Sequence, residues 1–253
     1  MMNDSLFYFF VYVWIGVALI SFPVIIRIIA PYGRHTSSKW GAMINNRAGW
    51  IIMESPALLV FAGFYLFGNA QHTIATWVFF GLWMFHYINR TLIFPFRLRT
   101  KGKKMPLMIV FMALLFNLVN GFINGYYLGS LATIYTQVWL TDPRFTIGII
   151  LFISGMYINW KSDDILIHLR KPGETGYIIP TGRLFRYISC PNHFGEIIEW
   201  MGFAIMTWST PGLAFFVWTV VNLLPRALHH HKWYKDTFTS YPTKRKAVIP
   251  FVL

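Results

Sequence analysis

Long apolar runs alternate with short basic loops along this chain, a pattern that suits lipid better than water. Runs near the ~20 residues that cross about 30 Å of hydrocarbon as a helix occupy residues 6–29, 50–67, 73–94 and 106–128, and a fifth starts at 145 and reaches at least 159. Residues 197–224 read either as one long helix or as two short ones parted by Ser209-Thr210-Pro211-Gly212. Charge separates the two readings. The loops after the first, third and fifth runs carry Arg34, Lys39 and Arg47; Arg97, Arg99, Lys101, Lys103 and Lys104; and Lys161, Arg170, Lys171, Arg183 and Arg186. The tail adds Lys232, Lys235, Lys244, Arg245 and Lys246 and joins that side only if residues 197–224 cross twice. The expectation is an all-α integral membrane protein of seven transmembrane helices. Arg27, Arg90 and Arg226 end helices on the same side, so of 22 Lys and Arg only Arg144 lies opposite. The positive-inside rule makes the basic side cytoplasmic, with the N-terminus outside and the C-terminus in the cytoplasm.

With 56% of 253 residues hydrophobic and 12% charged, one integral domain over residues 1–253 is expected. Loops 30–49, 95–105 and 160–191 and tail 226–253 form its cytoplasmic side. The net charge of +13 follows from those loops and does not call for nucleic acid. A monomer is expected. The start, Met1-Met2-Asn3-Asp4, lacks a basic n-region and a cleavage site, so the first run is expected to remain as a helix. Cys190 is the one cysteine, which rules out an internal disulfide, and no zinc spacing occurs.

Several polar residues sit where an apolar run should exclude them. Glu54 lies in Ile51-Ile52-Met53-Glu54-Ser55-Pro56, where a carboxylate costs several kcal/mol unless paired, protonated or wetted; a position near the helix end is the plainer reading. In His86-Tyr87-Ile88-Asn89-Arg90 the spacings of three and four let Tyr87 and His86 each share a face with Arg90, with an aromatic belt as the alternative. Asn159, Asp163 and Arg170 fall on one stripe if the fifth helix continues, a set able to grip a ribose and a phosphate. Asn192, Glu196 and Glu199 share a face at the mouth of the next run. Arg226, His230 and Tyr234 repeat at four residues; the adjacent His229, His230 and His231 diverge by about 100° each and make a poor metal site. No GxGxxG or P-loop pattern is present.

Together these segments resemble the steroid 5α-reductase (3-oxo-5α-steroid 4-dehydrogenase) family from about residue 32 onward. The most specific stretches are Leu169-Arg170-Lys171-Pro172-Gly173-Glu174, Asn192 with Gly195-Glu196-Ile197-Ile198-Glu199-Trp200, Arg226-Ala227 leading into the three histidines, and Tyr241-Pro242 followed by Arg245-Lys246-Ala247. The resemblance implies a seven-helix reductase that takes hydride from NADPH and delivers it to a Δ4-3-oxo-steroid lying among the helices. It assigns catalysis to Glu54 and Tyr87. Cofactor roles carry over to Tyr32, Trp50, Arg90, Asn159, Asp163, Arg170, Asn192, Glu196, Arg226 and Tyr234, and also to Lys103 and His230. The chain departs from the family in having Met53 where a Gln usually precedes the glutamate, in its recast basic loop Lys101-Gly102-Lys103-Lys104, and in Ile178 after Tyr177.

The implied chemistry agrees with the residue types. Hydride attack on C5 of an enone drives charge onto the C3 oxygen, where Tyr87 and a neutral Glu54 could donate hydrogen bonds. The alternative is a membrane methyltransferase using S-adenosylmethionine on a lipid or prenylated substrate, whose cofactor region has a turn like Pro191-Asn192-His193-Phe194-Gly195-Glu196. A non-catalytic sterol carrier is a third reading.

Overall fold

A computed structural model describes residues 3–31, 33–99, 102–171, 174 and 176–253. Asn3 caps the first helix, α1 (Asp4–Ile25), by accepting from the Ser5 amide. Two short strands, β1 (Met43–Asn45) and β2 (Lys104–Pro106), pair antiparallel with Ile44 opposite Met105. This ribbon adds a small β element to a chain that is otherwise mostly helical, as expected. Three-residue strands that run straight into helices leave too little alternation to be read as strands. It ties together the starts of α2 (Asn46–Leu66) and α5 (Leu107–Tyr126).

Helix α3 (Ile74–Ile88) opens with a reciprocal cap between Thr73 and Thr76, widens into a π-helical turn at Asn89–Ile93, and ends as the short α4 (Phe94–Arg97). A second π-helical turn, Tyr127–Leu131, extends α5. The fifth apolar run becomes α6 (Pro143–His168), longer than its hydrophobic part. Residues 197–224 resolve into two helices, α7 (Pro191–Thr207) and α8 (Thr210–Thr237), with Trp208 left-handed at φ 44° and Ser209 capping Gly212. Because α6 stops at His168, Arg170 lies beyond it, and the predicted stripe of Asn159, Asp163 and Arg170 holds only for its first two members.

Two helix pairs approach backbone to backbone through glycine. On α6 and α7, a Cβ added to Gly148 would sit 2.6 Å from the Gly202 carbonyl oxygen, and one added to Gly155 would sit 2.3 Å from the Glu199 nitrogen. Gly195 and Gly202 answer from α7, each pair seven residues apart. On α5, Gly121, Gly125 and Gly129 face α2, meeting the carbonyls of Pro56, Phe61 and Phe64. Small residues spaced this way let helices pack closely in lipid, where apolar burial supplies little drive for association.

The interior between these pairs is aromatic: Trp83 stacks on Phe61 at 4.5 Å and meets Trp200 and Phe215 edge-on or tilted. The outside of α1 is apolar and exposed, with Phe9, Leu19 and Ile20 at 65%, 58% and 79%. Helices Asp4–Ile25, Asn46–Leu66, Leu107–Leu131 and Thr210–Thr237 are long and apolar enough to cross a membrane, which fits a membrane protein.

The glycine contacts predict opposite outcomes for one substitution at two sites. Gly155→Ala should lower stability by about 1–3 kcal/mol or more, since the atoms it meets are backbone. Gly81→Ala, with nothing within 4 Å, should be neutral or gain up to about 1 kcal/mol from helix propensity. Thermal unfolding of the detergent-solubilised variants checks both.

Candidate functional site

One connected line of polar side chains crosses the helices at the level of Glu196. The Asn159 amide on α6 donates to the Asn192 carbonyl (3.0 Å) and to Glu196 Oε2 (3.4 Å) on α7. Asn192 returns a hydrogen bond to Asp163 Oδ1 at 3.2 Å, and Asp163 Oδ2 lies 3.7 Å from Arg90 Nη1. The Arg90 guanidinium lies over the rings of Trp50 (4.7 Å) and Phe94 (4.8 Å), so the line continues onto α2. Arg90 leaves α3 within its π-helical turn, an extra-residue bulge of the kind common at functional positions.

The two proposed catalytic residues stand on α2 and α3. Tyr87 is buried on α3, tilted against Trp83 at 5.2 Å and Trp200 at 5.9 Å. Glu54 on α2 accepts from the Asn117 amide at 3.3 Å. Glu54 and Tyr87 are within electrostatic reach of each other, and each is within reach of Arg90 and Glu196. Next to Tyr87, His86 Nδ1 meets Glu199 Oε1 at 2.7 Å, a hydrogen-bonded pair between α3 and α7 that is ionic when His86 is protonated, with Glu199 fully buried.

A second cluster gathers on the side of the basic loops. Tyr234 accepts from Arg34 Nη2 at 2.9 Å, and the Arg34 guanidinium lies 4.3 Å from both the Trp233 and the Tyr234 ring. His230 stacks on His35 at 5.3 Å and lies 5.9 Å from His193. Arg226 lines a narrow cleft with Ile29, Ala30, His35, His229 and His230. His193 is within electrostatic reach of Glu196, Arg90 and Arg226 and links the two clusters. Burial and the flanking Arg34 hold His35 below the ordinary histidine value.

The remaining predicted residues lie at the rim. Arg170 donates to the Gly176 carbonyl at 2.9 Å and sits 5.9 Å from the Tyr177 ring. Lys103 is exposed next to it, where partial desolvation and the Arg170 guanidinium lower its pKa. Tyr32 falls outside the described residues. Cys190 is a packing residue: burial pushes its thiol up to about 12, away from nucleophilic chemistry. Among the described residues no group of three or more His, Cys, Asp and Glu could hold a metal ion.

Sequence reasoning missed Arg34, His35, His193 and Asn117, and it did not pair His86 with Glu199. For Asn117 a signal existed, since Asn117, Asn120 and Asn124 recur at helical spacing in an apolar run. The loop residues Arg34 and His35 follow no period, so nothing in their spacing marks them.

A lipid-compatible bundle that buries ionisable side chains in connected clusters belongs to the membrane enzymes or transporters. Comparison with known proteins separates these. The profile of the 3-oxo-5-alpha-steroid 4-dehydrogenase family matches residues 103–253. The steroid 5-alpha-reductase DET2 of Gossypium hirsutum is 42% identical over 229 residues, 88% of each chain. The 3-oxo-5-alpha-steroid 4-dehydrogenase 1 of Bos taurus is 43% identical over 238 residues, 91% of each, and the type 2 enzyme of Sus scrofa 45% over 225, 87% of each. The chain belongs to this family and is an oxidoreductase of the steroid 5α-reductase kind. That membership decides against the methyltransferase and carrier alternatives.

The buried ion pair gives a second prediction. Glu199→Ala leaves His86 unpaired and should cost about 3–5 kcal/mol, whereas replacing both partners with leucine should cost much less. Thermal melts of the single and double variants distinguish a paired charge from a merely bulky side chain.

Proposed function

We propose that this enzyme reduces the Δ4 double bond of 3-oxo-Δ4-steroids, with Glu54 and Tyr87 polarising the C3 carbonyl. The observation that carries this reading is the approach of a carboxyl on α2 and a phenol on α3 within an aromatic interior. Both can donate a hydrogen bond to one carbonyl oxygen. Addition of hydride at C5 moves the alkene electron pair toward the C3 oxygen. Donors aimed there stabilise the enolate more than the ketone, which lowers the barrier. The enolate then takes a proton at C4 from water and the ketone is restored. The substrate class rests on the relatives, whose names specify 3-oxo-5-alpha-steroids.

NADPH, when bound, supplies the hydride. The residues fit such a group: Arg34 Nη1, His35 Nε2, His193 Nδ1, His230 Nδ1 and Asn159 Oδ1 are buried polar atoms with no hydrogen-bond partner, a costly state that a polar ligand relieves. Trp50, Arg90, Asn159, Asp163, Asn192 and Glu196 would hold one end of the dinucleotide. Arg226, His230, Tyr234, Lys103 and Arg170, with Tyr32, would hold its phosphates and far end, where basic residues outnumber acids.

Seven crossings place this machinery. In this reading α1, α2, α3 with α4, α5, α6, α7 and α8 alternate across the bilayer, with the N-terminus outside and the C-terminus cytoplasmic. The whole chain is then one domain, acting as a monomer. Its cofactor side is built from loops 30–49, 95–105 and 160–191 and tail 226–253.

Membranes containing the protein should oxidise NADPH when given progesterone or testosterone and release the 5α-dihydro product, identified by chromatography against 5α and 5β standards. Glu54→Gln and Tyr87→Phe should each lower kcat about 100-fold or more while NADPH affinity stays within a few-fold. Wild-type turnover in both variants would remove the assigned roles.

A further inference from the structure

Glu54 has a neighbour that neither the family resemblance nor the residue pattern singled out. Asn117 on α5 is buried, and its Nδ2 lies 2.6 Å from the Met53 carbonyl oxygen and 3.3 Å from Glu54 Oε2. The orientation of this amide is chemically forced. A backbone carbonyl only accepts, so the group facing Met53 must be the NH2, and its second hydrogen is the one directed at Glu54. Met53 itself offers a thioether, which cannot donate.

The backbone supports this placement. Gly121, one turn beyond Asn117, packs its missing side chain against the Pro56 carbonyl and the Phe61 amide of α2, so the two helices cannot slide without a backbone clash. Pro56 lacks the amide hydrogen that would close the preceding turn onto Ile52, one residue before the carbonyl on which Asn117 docks. Asn120 and Asn124 continue the same stripe but serve structure: Asn120 accepts from the Trp14 indole and donates to the Phe116 carbonyl, and Asn124 donates to the Asn120 carbonyl.

We propose that Asn117 is a positioning residue for Glu54, selecting which carboxyl oxygen carries the proton offered to the substrate. A neutral carboxyl has one oxygen that accepts and one that donates. Because Asn117 donates to Oε2, that oxygen is fixed as the acceptor and Oε1 becomes the hydroxyl. Without Asn117 both oxygens compete for the proton, which alone halves the productive population, and the carboxyl also loses the donor that holds its rotamer, which lowers that population further. This inference rests on the reading of Glu54 as a hydrogen-bond donor to the C3 carbonyl.

The test replaces Asn117 with Leu, close in size and without polar atoms, and measures steady-state turnover of a Δ4-3-oxo-steroid with NADPH in detergent. The expected result is a fall in kcat of about ten-fold, with KM for steroid and for NADPH within two-fold of wild type. In a Glu54→Gln background the same substitution should change the residual single-turnover rate by less than two-fold, because it acts only through Glu54. An equal fall in both backgrounds would mean a structural role and overturn the assignment, as would a wild-type kcat in Asn117→Leu. Should that variant not survive purification, Asn117→Asp decides: a neutral Asp has one hydrogen, cannot serve Met53 and Glu54 together, and must show the same split. Wild-type kcat in Asn117→Asp would equally sink the proposal. An inactive wild-type enzyme would instead overturn the steroid reading itself.

Discussion

The contact on which this structure depends is the backbone approach of α6 to α7 at Gly148, Gly155, Gly195 and Gly202. It sets the spacing at which Asn159 and Asp163 meet Asn192 and Glu196; Asn159, Asn192 and Glu196 lie within about a turn of Gly155 or Gly195, and Asp163 one turn beyond Asn159. The Glu199 nitrogen is itself one of the atoms a Cβ on Gly155 would strike, so the position of Glu199 is fixed by the same contact. From Glu199 the constraint passes through the 2.7 Å pair to His86, and so to the turn of α3 that presents Tyr87 and Arg90. A glycine ladder therefore carries positional information to the site without contributing any chemistry. This suits lipid, where close packing and hydrogen bonding, rather than apolar burial, hold helices together.

Polar groups inside the bundle differ in how completely they are partnered. Near the opposite end, Tyr135 donates to the Thr207 carbonyl and Trp139 to the Met206 carbonyl, and at the surface there Asp142 is held at about 2 by hydrogen bonds from Arg144. Toward the basic loops, the partnerless atoms of Arg34, His35, His193 and His230 accumulate in one place. Unpaired buried donors and acceptors are expensive anywhere; Thr91, Asn159, Trp160, Glu199 and Arg245 each leave one as well, but four residues in mutual contact fit a ligand better than imperfect packing.

Much of the fold is visible in the sequence because lipid imposes length and polarity on each helix. The starts of α2, α3 and α5 fall within a few residues of the apolar runs, and the break at Ser209 follows from Pro211 and Gly212. What escapes is whatever depends on contact between distant segments. The ribbon of Met43–Asn45 with Lys104–Pro106 has no pattern of its own, and Arg170 looks helical until the chain turns after His168. Within the site, Glu54, Tyr87, Asn159, Asp163 and Glu196 were conspicuous because ionisable or amide groups are costly in an apolar run. Arg34 and His35 were not, since a basic loop hides these two clustered residues among many other basic ones. His86 and Glu199 were each noticed, but 113 residues separate them, and only the packing of α3 on α7 makes them a pair.

The three asparagines of α5 show why burial alone does not identify function. Asn117, Asn120 and Asn124 share residue type, helix and face, and all are at most 3% exposed. Two of them spend their amide hydrogens on carbonyls four residues back in their own helix, an arrangement that satisfies a polar group wherever it lies. Asn117 instead reaches across to α2 and divides its donors between a main-chain carbonyl and a carboxyl. The first bond anchors the amide, and only then can the second discriminate between two otherwise equivalent oxygens. An acid that must donate needs that asymmetry, because a carboxyl free to exchange its proton between oxygens is oriented correctly only part of the time.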